Sequence, residues 1–230
     1  MENSETPYPV RKKYRIKRIA KRAHYDKADV NAIIDASYLC HISFTQNNQP
    51  SAIPMACWRD GLYIYFHSAN KGRLSNQLVG NSVCISIALF DGLVLGHSAF
   101  NHSYNYRSVV IHGQVEEVAD EPDKEAAMRT FMEHILPGRW SDIRPVSQKE
   151  LRAITVMRVK LEQVAGKIRD EFPDDETDTP NWPTWIGVIP SITKFHAADA
   201  DPSRNKVGAP PSYIVEYTGI DGRLRPNKKK

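Results

Sequence analysis

Cysteine is scarce in this 230-residue chain, and the three present, Cys40, Cys57 and Cys84, show no CxxC spacing. An odd number without that spacing argues against a disulfide framework or a zinc site, and for a reducing compartment. Each lies in an apolar, strand-like stretch, where a free thiol behaves as a small buried hydrophobe. No run approaches the roughly 20 apolar residues that a membrane-spanning helix requires. The opening "MENSETPYPV" lacks the apolar core of a signal peptide, so a cytoplasmic protein is expected. Charge of one sign is also lacking: 31 basic against 27 acidic residues leave +4, too little to argue for nucleic acid. Aromatic platforms in a basic groove are missing as well, as is a GxGxxG fingerprint.

What charge there is lies in blocks. "RKKYRIKRIAKRAHYDK" (Arg11 to Lys27) is basic, "RDEFPDDETD" (Arg169 to Asp178) is acidic, and Lys228, Lys229 and Lys230 end the chain. A solvated arm, loop and tail is the plain reading. The alternative is that the arm wraps a partner subunit or meets an anionic surface. The division expected is a basic arm over residues 1–24 and a single domain, with a C-terminal extension, over residues 25–230.

Asp26 stands where an N-cap belongs, ahead of Val30, Ile33 and Ile34 at helical spacing. In "YLCHISFT", Tyr38, Cys40, Ile42 and Phe44 alternate with Leu39, His41, Ser43 and Thr45, the period of a strand. "QNNQP" is a turn, and "SAIPMACW" is a second strand whose Pro54 confines it to an edge or bulge. "RDG" turns into the aromatic strand "YIYFHSA", which predicts a three-stranded antiparallel meander. A short helix through Leu74, Leu78 and Val79 ends at Gly80. "SVCISIAL" and "RSVVIHGQVEEV" are further strands, with a bulge or bend expected at Gly113. Glu121 to Leu136 is helical, and one last strand region starts near Leu151. About six mostly antiparallel strands with interspersed helices predict a mainly β fold, a small barrel with flanking helices.

Four stretches carry groups suited to a phosphorylated ring compound. They are Ser51 to Met55; His67, Ser68, Lys71 and Arg73; Asn105, Tyr106, Arg107 and Ser108; and Lys167. A strand end passing into hydroxyl, imidazole, amine and guanidinium donors suits an anion. Each has a plain alternative: His67 as a packed strand-end histidine, Arg107 as an ion-pair partner, Lys167 as a solvated side chain. No HxH or HxxxH spacing joins His97, His102 and His112, so no metal site is expected.

The order of these pieces resembles the flavin-binding split barrels related to pyridoxamine 5′-phosphate oxidase, in the branch of the nitroimidazole-resistance reductases. The resemblance runs from "RAHYD" (Arg22 to Asp26) through "QPSAIPM", "LYIYFHSANKGRL" and "YRSVVIHGQVEEV". It continues through "LPGRW" and "AGKIR" to "WIGVIP" (Trp185 to Pro190). It implies a six-stranded antiparallel split barrel holding FMN non-covalently at the interface of a homodimer. By that resemblance the FMN phosphate falls to His67, Ser68, Arg73 and Lys71. Ile53, Pro54 and Met55 lie against the ring, and Tyr106, Arg107, Ser108 and Lys167 stand near the cofactor or the dimer seam. Many relatives carry HG in place of His67-Ser68, and a lysine where this chain has Leu74. The implied activity is FMN-dependent redox chemistry on a small organic substrate, a nitro compound among the candidates, with NAD(P)H as one electron donor. His67 is the one polar candidate for a catalytic role. The substrate-binding arginine and histidine pattern of pyridoxamine-phosphate oxidation itself is missing near the C-terminus. Two alternatives remain: a flavin carrier without turnover, and a haem-binding split barrel with His97, His102, His112 or His196 as axial ligand.

Overall fold

Alternating burial builds the first hairpin. Cys40 and Ile42 are fully buried while Leu39 and His41 are exposed, so β2 (Leu39–Gln46) has one core face. Asn47 and Asn48 both take positive φ, at 51° and 59°, the two-residue turn that asparagine favours. The chain returns as β3 (Gln49–Ala56), paired with β2 alone, so Pro54 sits on an edge strand as its missing N–H demands. The computed structural model describes residues 6–70, 72–174 and 183–220.

The remaining strands are β1 (Ala23–His24), β4 (Trp58–Asp60), β5 (Tyr63–Ala69), β6 (Ser82–Leu95), β7 (Ser103–Val118), β8 (Ile154–Lys160), β9 (Gln163–Arg169) and β10 (Gly187–Pro190). The helices are α1 (Lys27–Asp35), α2 (Arg73–Leu78), α3 (Glu121–Ile135), α4 (Arg139–Asp142), α5 (Gln148–Ala153) and α6 (Ser212–Val215). Every ladder is antiparallel, in the order β3-β2-β6-β7-β8-β5-β4, with β9 between β7 and β1 and β10 on β6. The six expected strands thus resolve into ten pairing segments among the described residues. The sheet curls without closing, as a split barrel with flanking helices.

Three local expectations change. The three-stranded meander is a hairpin only, because β5 pairs with β4 and β8 rather than β3. The last strand region is interrupted at Leu161 and Glu162 into β8 and β9, which run in the same direction along successive stretches of β7, and no glycine or proline signals the break. The bulge lies at Asp91-Gly92 in β6, not at Gly113, through which the β6–β7 register runs unbroken. Gly113 instead marks where β7 changes partner, from β9 (Tyr106–His112) to β8 (Val115–Val118). A Cβ at Gly113 would stand 2.5 Å from Val159 Cγ1, and this close approach requires the glycine.

The main core fills the barrel with Ile42, Ile64, Phe66, Ile85, Ile111 and Met157. Val30, Ile33 and Ile34 of α1 join it, as their spacing predicts, although the Asp26 side chain makes no capping bond. A second cluster of Trp58, Tyr65, Val118, Ala127 and Val156 lies under Phe131 of α3. The arm contributes as well: Tyr8 is 2% exposed in the main core, and its hydroxyl donates to Asn31 at 2.8 Å. Arg22 and Lys21 pair with Glu171, so basic arm and acidic segment meet at their inner ends.

Candidate functional site

Strand β3, at one end of the open sheet, approaches β5, the last strand but one at the other end, without forming a ladder. On β3, Ile53 and Met55 are half-buried against the core, while Pro54 faces outward opposite His41. β5 leads to α2, which packs on it and whose first residue is Arg73. The Arg73 side chain is exposed, with no hydrogen-bond or ion-pair partner among the described residues. Among the described residues, the Ser68 hydroxyl makes only a long 3.4 Å bond to the Ala69 carbonyl. Lys71 lies outside the described residues.

Alternation along β5 separates His67 from Ser68. Ile64 and Phe66 belong to the barrel core and Tyr65 to the cluster under α3, so Ser68 shares the barrel side and His67 the helix side. The His67 ring lies 6.0 Å from Trp58 and 5.7 Å from Phe131, and its Nδ1 is buried without a partner among the described residues. Burial lowers its pKa, so the imidazole is neutral and is a poor partner for a phosphate.

The other expected residues gather elsewhere. Ser108 pairs with Lys167, and its hydroxyl donates to the Lys167 carbonyl at 3.2 Å. Tyr106 and Ser108 lie on the outer face, because Val109 and Ile111 point into the core. Arg107 is turned the other way and grips Asp91 with two bonds of 2.9 Å, which is the ion-pair role. From β3 to β9 the sheet takes four strand steps of roughly 4.8 Å, about 19 Å in all. One chain therefore carries two separate groups: the β3–β5 seam with Arg73, and the Tyr106–Ser108–Lys167 patch.

Family models and solved structures agree with this architecture. The model described as pyridoxamine 5′-phosphate oxidase matches residues 26–168, more than half of the chain. The chain belongs to the pyridoxamine 5′-phosphate oxidase family. It is similar to the flavocytochrome Anf3 from Azotobacter vinelandii, with 33% identity, a TM-score of 0.86, and 92% of this chain and 99% of that one covered. A FAD and haem binding protein from Mycobacterium smegmatis shares the fold at 23% identity and a TM-score of 0.82, covering 86% of this chain and 98% of that one. A protein described as a candidate for 5-nitroimidazole antibiotic resistance, from Bacteroides thetaiotaomicron, is 27% identical with a TM-score of 0.55, covering 64% and 86% of the two chains. No curated protein sequence matches the chain.

Family membership directs attention to features that sequence reasoning missed. Asp91, the partner of Arg107, is signalled only by the bulge-forming Asp-Gly pair. The aromatic wall of Trp58 and Phe131 around His67 joins residues far apart in the chain. The free Cys57 thiol is hydrogen-bonded with the Cys40 thiol in the core, and that contact together with burial pushes its pKa up and keeps it protonated. Among the histidines considered for a metal-bound cofactor, His102 Nδ1 lies 2.7 Å from the Ser98 carbonyl, His112 stacks on Tyr14 at 4.4 Å, and His196 is exposed. His97 is half-buried. No three His, Cys, Asp or Glu side chains gather as metal ligands among the described residues. No helix among them is long and apolar enough to cross a membrane.

Proposed function

We propose that this protein is a flavin-dependent oxidoreductase, with FMN, or the mononucleotide end of FAD, lying along the β3–β5 seam. The observation that carries this reading is the seam itself: a guanidinium at Arg73, without a partner among the described residues, beside an apolar sheet edge that lacks a ladder partner among them. A flavin needs cations at its phosphate and a flat apolar surface with few competing donors under its ring. Bound there, it supplies two-electron redox chemistry that side chains lack. Arg73 and the Ser68 hydroxyl hold the phosphate. Ile53 and Met55 support the ring, and Pro54 presents no N–H to it. His67, neutral and packed behind the strand, fixes the end of β5 rather than moving a proton.

The substrate in this reading is a small organic compound, with NAD(P)H as electron donor, and the working unit is a homodimer. A second copy answers the roughly 19 Å gap along the sheet, by which one chain's Tyr106, Ser108 and Lys167 complete the seam of the other. The outer face between them mixes the small side chains of Ser43, Cys84, Ser86 and Ala88 with His41, Val110 and His112, on the last of which Tyr14 stacks. Free cysteines fit the reducing cytoplasm.

The test is the visible spectrum of freshly purified protein, with the released cofactor identified by mass. Flavin bands are expected, and a colourless protein that refuses added FMN and FAD overturns the reading. Steady-state NAD(P)H oxidation then separates enzyme from carrier. A second reading adds haem, favoured by the 33% identity to a flavocytochrome. His67 fits an axial ligand best, since burial lowers its pKa and its buried Nδ1 has no partner among the described residues. A Soret band lost in His67→Ala and kept in His112→Ala supports it; a flavin spectrum alone removes it.

A further inference from the structure

Beyond β10 the chain folds back over one end of the barrel and roofs a cleft of about 260 Å³. Tyr38, Leu89 and Arg107 line its floor, and Ser191, Thr193 and Phe195 its roof. Specific contacts seat this roof. The Ser191 N–H donates to the Asp91 carbonyl at 2.9 Å, which ties the segment to the β6 bulge. The Ile220 N–H donates to the Tyr38 hydroxyl at 2.9 Å, and the Tyr38 and Tyr217 hydroxyls lie 2.7 Å apart. Ile220 itself is 1% exposed. Gly219 takes φ +90°, and a Cβ there would stand 2.6 Å from the Phe195 ring, so no other residue fits. Phe195 in turn packs on Tyr217 at 5.0 Å and Tyr38 at 5.9 Å.

The lining restricts what can enter. The volume lies below the roughly 300–1,000 Å³ of sites for drug-sized ligands, which leaves room for one small ring system. Tyr38, Phe195 and Leu89 give it aromatic and aliphatic walls. The hydroxyls of Ser191 and Thr193 have no hydrogen-bond partner among the described residues, and so offer donors. Arg107 is the one charged residue in the lining, and Asp91 offsets it with two bonds of 2.9 Å. A ligand with a net charge would lose its hydration there without gaining a counter-ion. We infer that this cleft binds a neutral, planar compound of one or two rings that presents a carbonyl-type acceptor oxygen to Ser191 and Thr193. Only Arg107 is shared with the residues expected around a flavin, so the inference stands apart from the flavin reading.

The experiment is calorimetric titration of the full chain with coumarin, a neutral bicyclic lactone, and with coumarin-3-carboxylate, its anionic counterpart. Saturable binding of coumarin at one site per chain is expected, with the carboxylate at least tenfold weaker. Thr193→Trp, on an exposed coil segment, fills the cleft and abolishes binding, whereas Arg73→Ala leaves it unchanged. Equal or tighter binding of the carboxylate overturns the inference, as does absence of saturable coumarin binding. Should Thr193→Trp fail to fold, the Ser191→Ala, Thr193→Ala double variant replaces it. A tenfold or greater loss of affinity is then expected, and an unchanged affinity overturns the inference.

Discussion

Replacing Arg73 with alanine separates binding from folding unusually cleanly. The side chain is exposed and partnerless among the described residues, at the first position of α2. Its removal leaves no buried group unsatisfied and no cavity, so stability should change by no more than about 0.5 kcal/mol. If the guanidinium grips a phosphate, the loss is that of hydrogen bonds to a charged group, about 1.5–3 kcal/mol. At 1.4 kcal/mol per tenfold, this weakens flavin affinity roughly ten- to 150-fold. Arg73→Lys keeps the charge but loses the bidentate fork, so it should fall in between. Titration of FMN, followed by quenching of its fluorescence, measures the affinity, and thermal unfolding of the apoprotein provides the control. An affinity within twofold of the parent in a normally melting variant refutes the placement. A melt lowered as much as by a core substitution refutes the claim that Arg73 is free for a ligand.

Tyr8→Ala should destabilise by about 3–5 kcal/mol, as loss of a buried aromatic does. For a chain of this size that lowers the melting temperature by roughly 6–20 °C, and a change under about 2 °C would show that the arm does not belong to the core. Gly113→Ala should cost about 1–3 kcal/mol, because the new methyl meets Val159 Cγ1 at 2.5 Å; an unchanged denaturation midpoint would contradict the partner switch there. Stability should fall with acidification in two windows. Burial lowers the His67 pKa from 6.5, so the unfolded chain binds the proton first and stability declines below that pH. Glu171 is held below 4.5 chiefly by its hydrogen bond from Arg22, so its contribution is present above 4.5 and lost below it. Melting temperatures across pH 7 to 4, in the parent and in His67→Phe, check this; an identical slope near pH 6 in both removes His67 as the cause.

What could be read along the chain was whatever depends on near neighbours. The two-residue period of Tyr38 to Thr45, the helical spacing of Val30, Ile33 and Ile34, and the edge position forced by Pro54 all follow from local backbone geometry. So does the burial of Cys40 in β2 and of Cys57 between β3 and β4, whereas Cys84, expected to be buried as well, is half-buried on the outer face of β6. The sequence motifs also carried the family. Strand partnership did not follow, because a ladder depends on which edge remains open after the barrel curls. Hence β5 joins β8, about ninety residues further on, rather than the adjacent β3. Nor did the division of the site, since alternation sends His67 and Ser68 to opposite faces and turns Arg107 toward an aspartate sixteen residues back. The roofed cleft, the Trp58–Phe131 wall and the Tyr8 anchor each join segments distant in the chain. Their contacts form only when the chain has paid the entropy of closing those loops, so tertiary packing alone decided them.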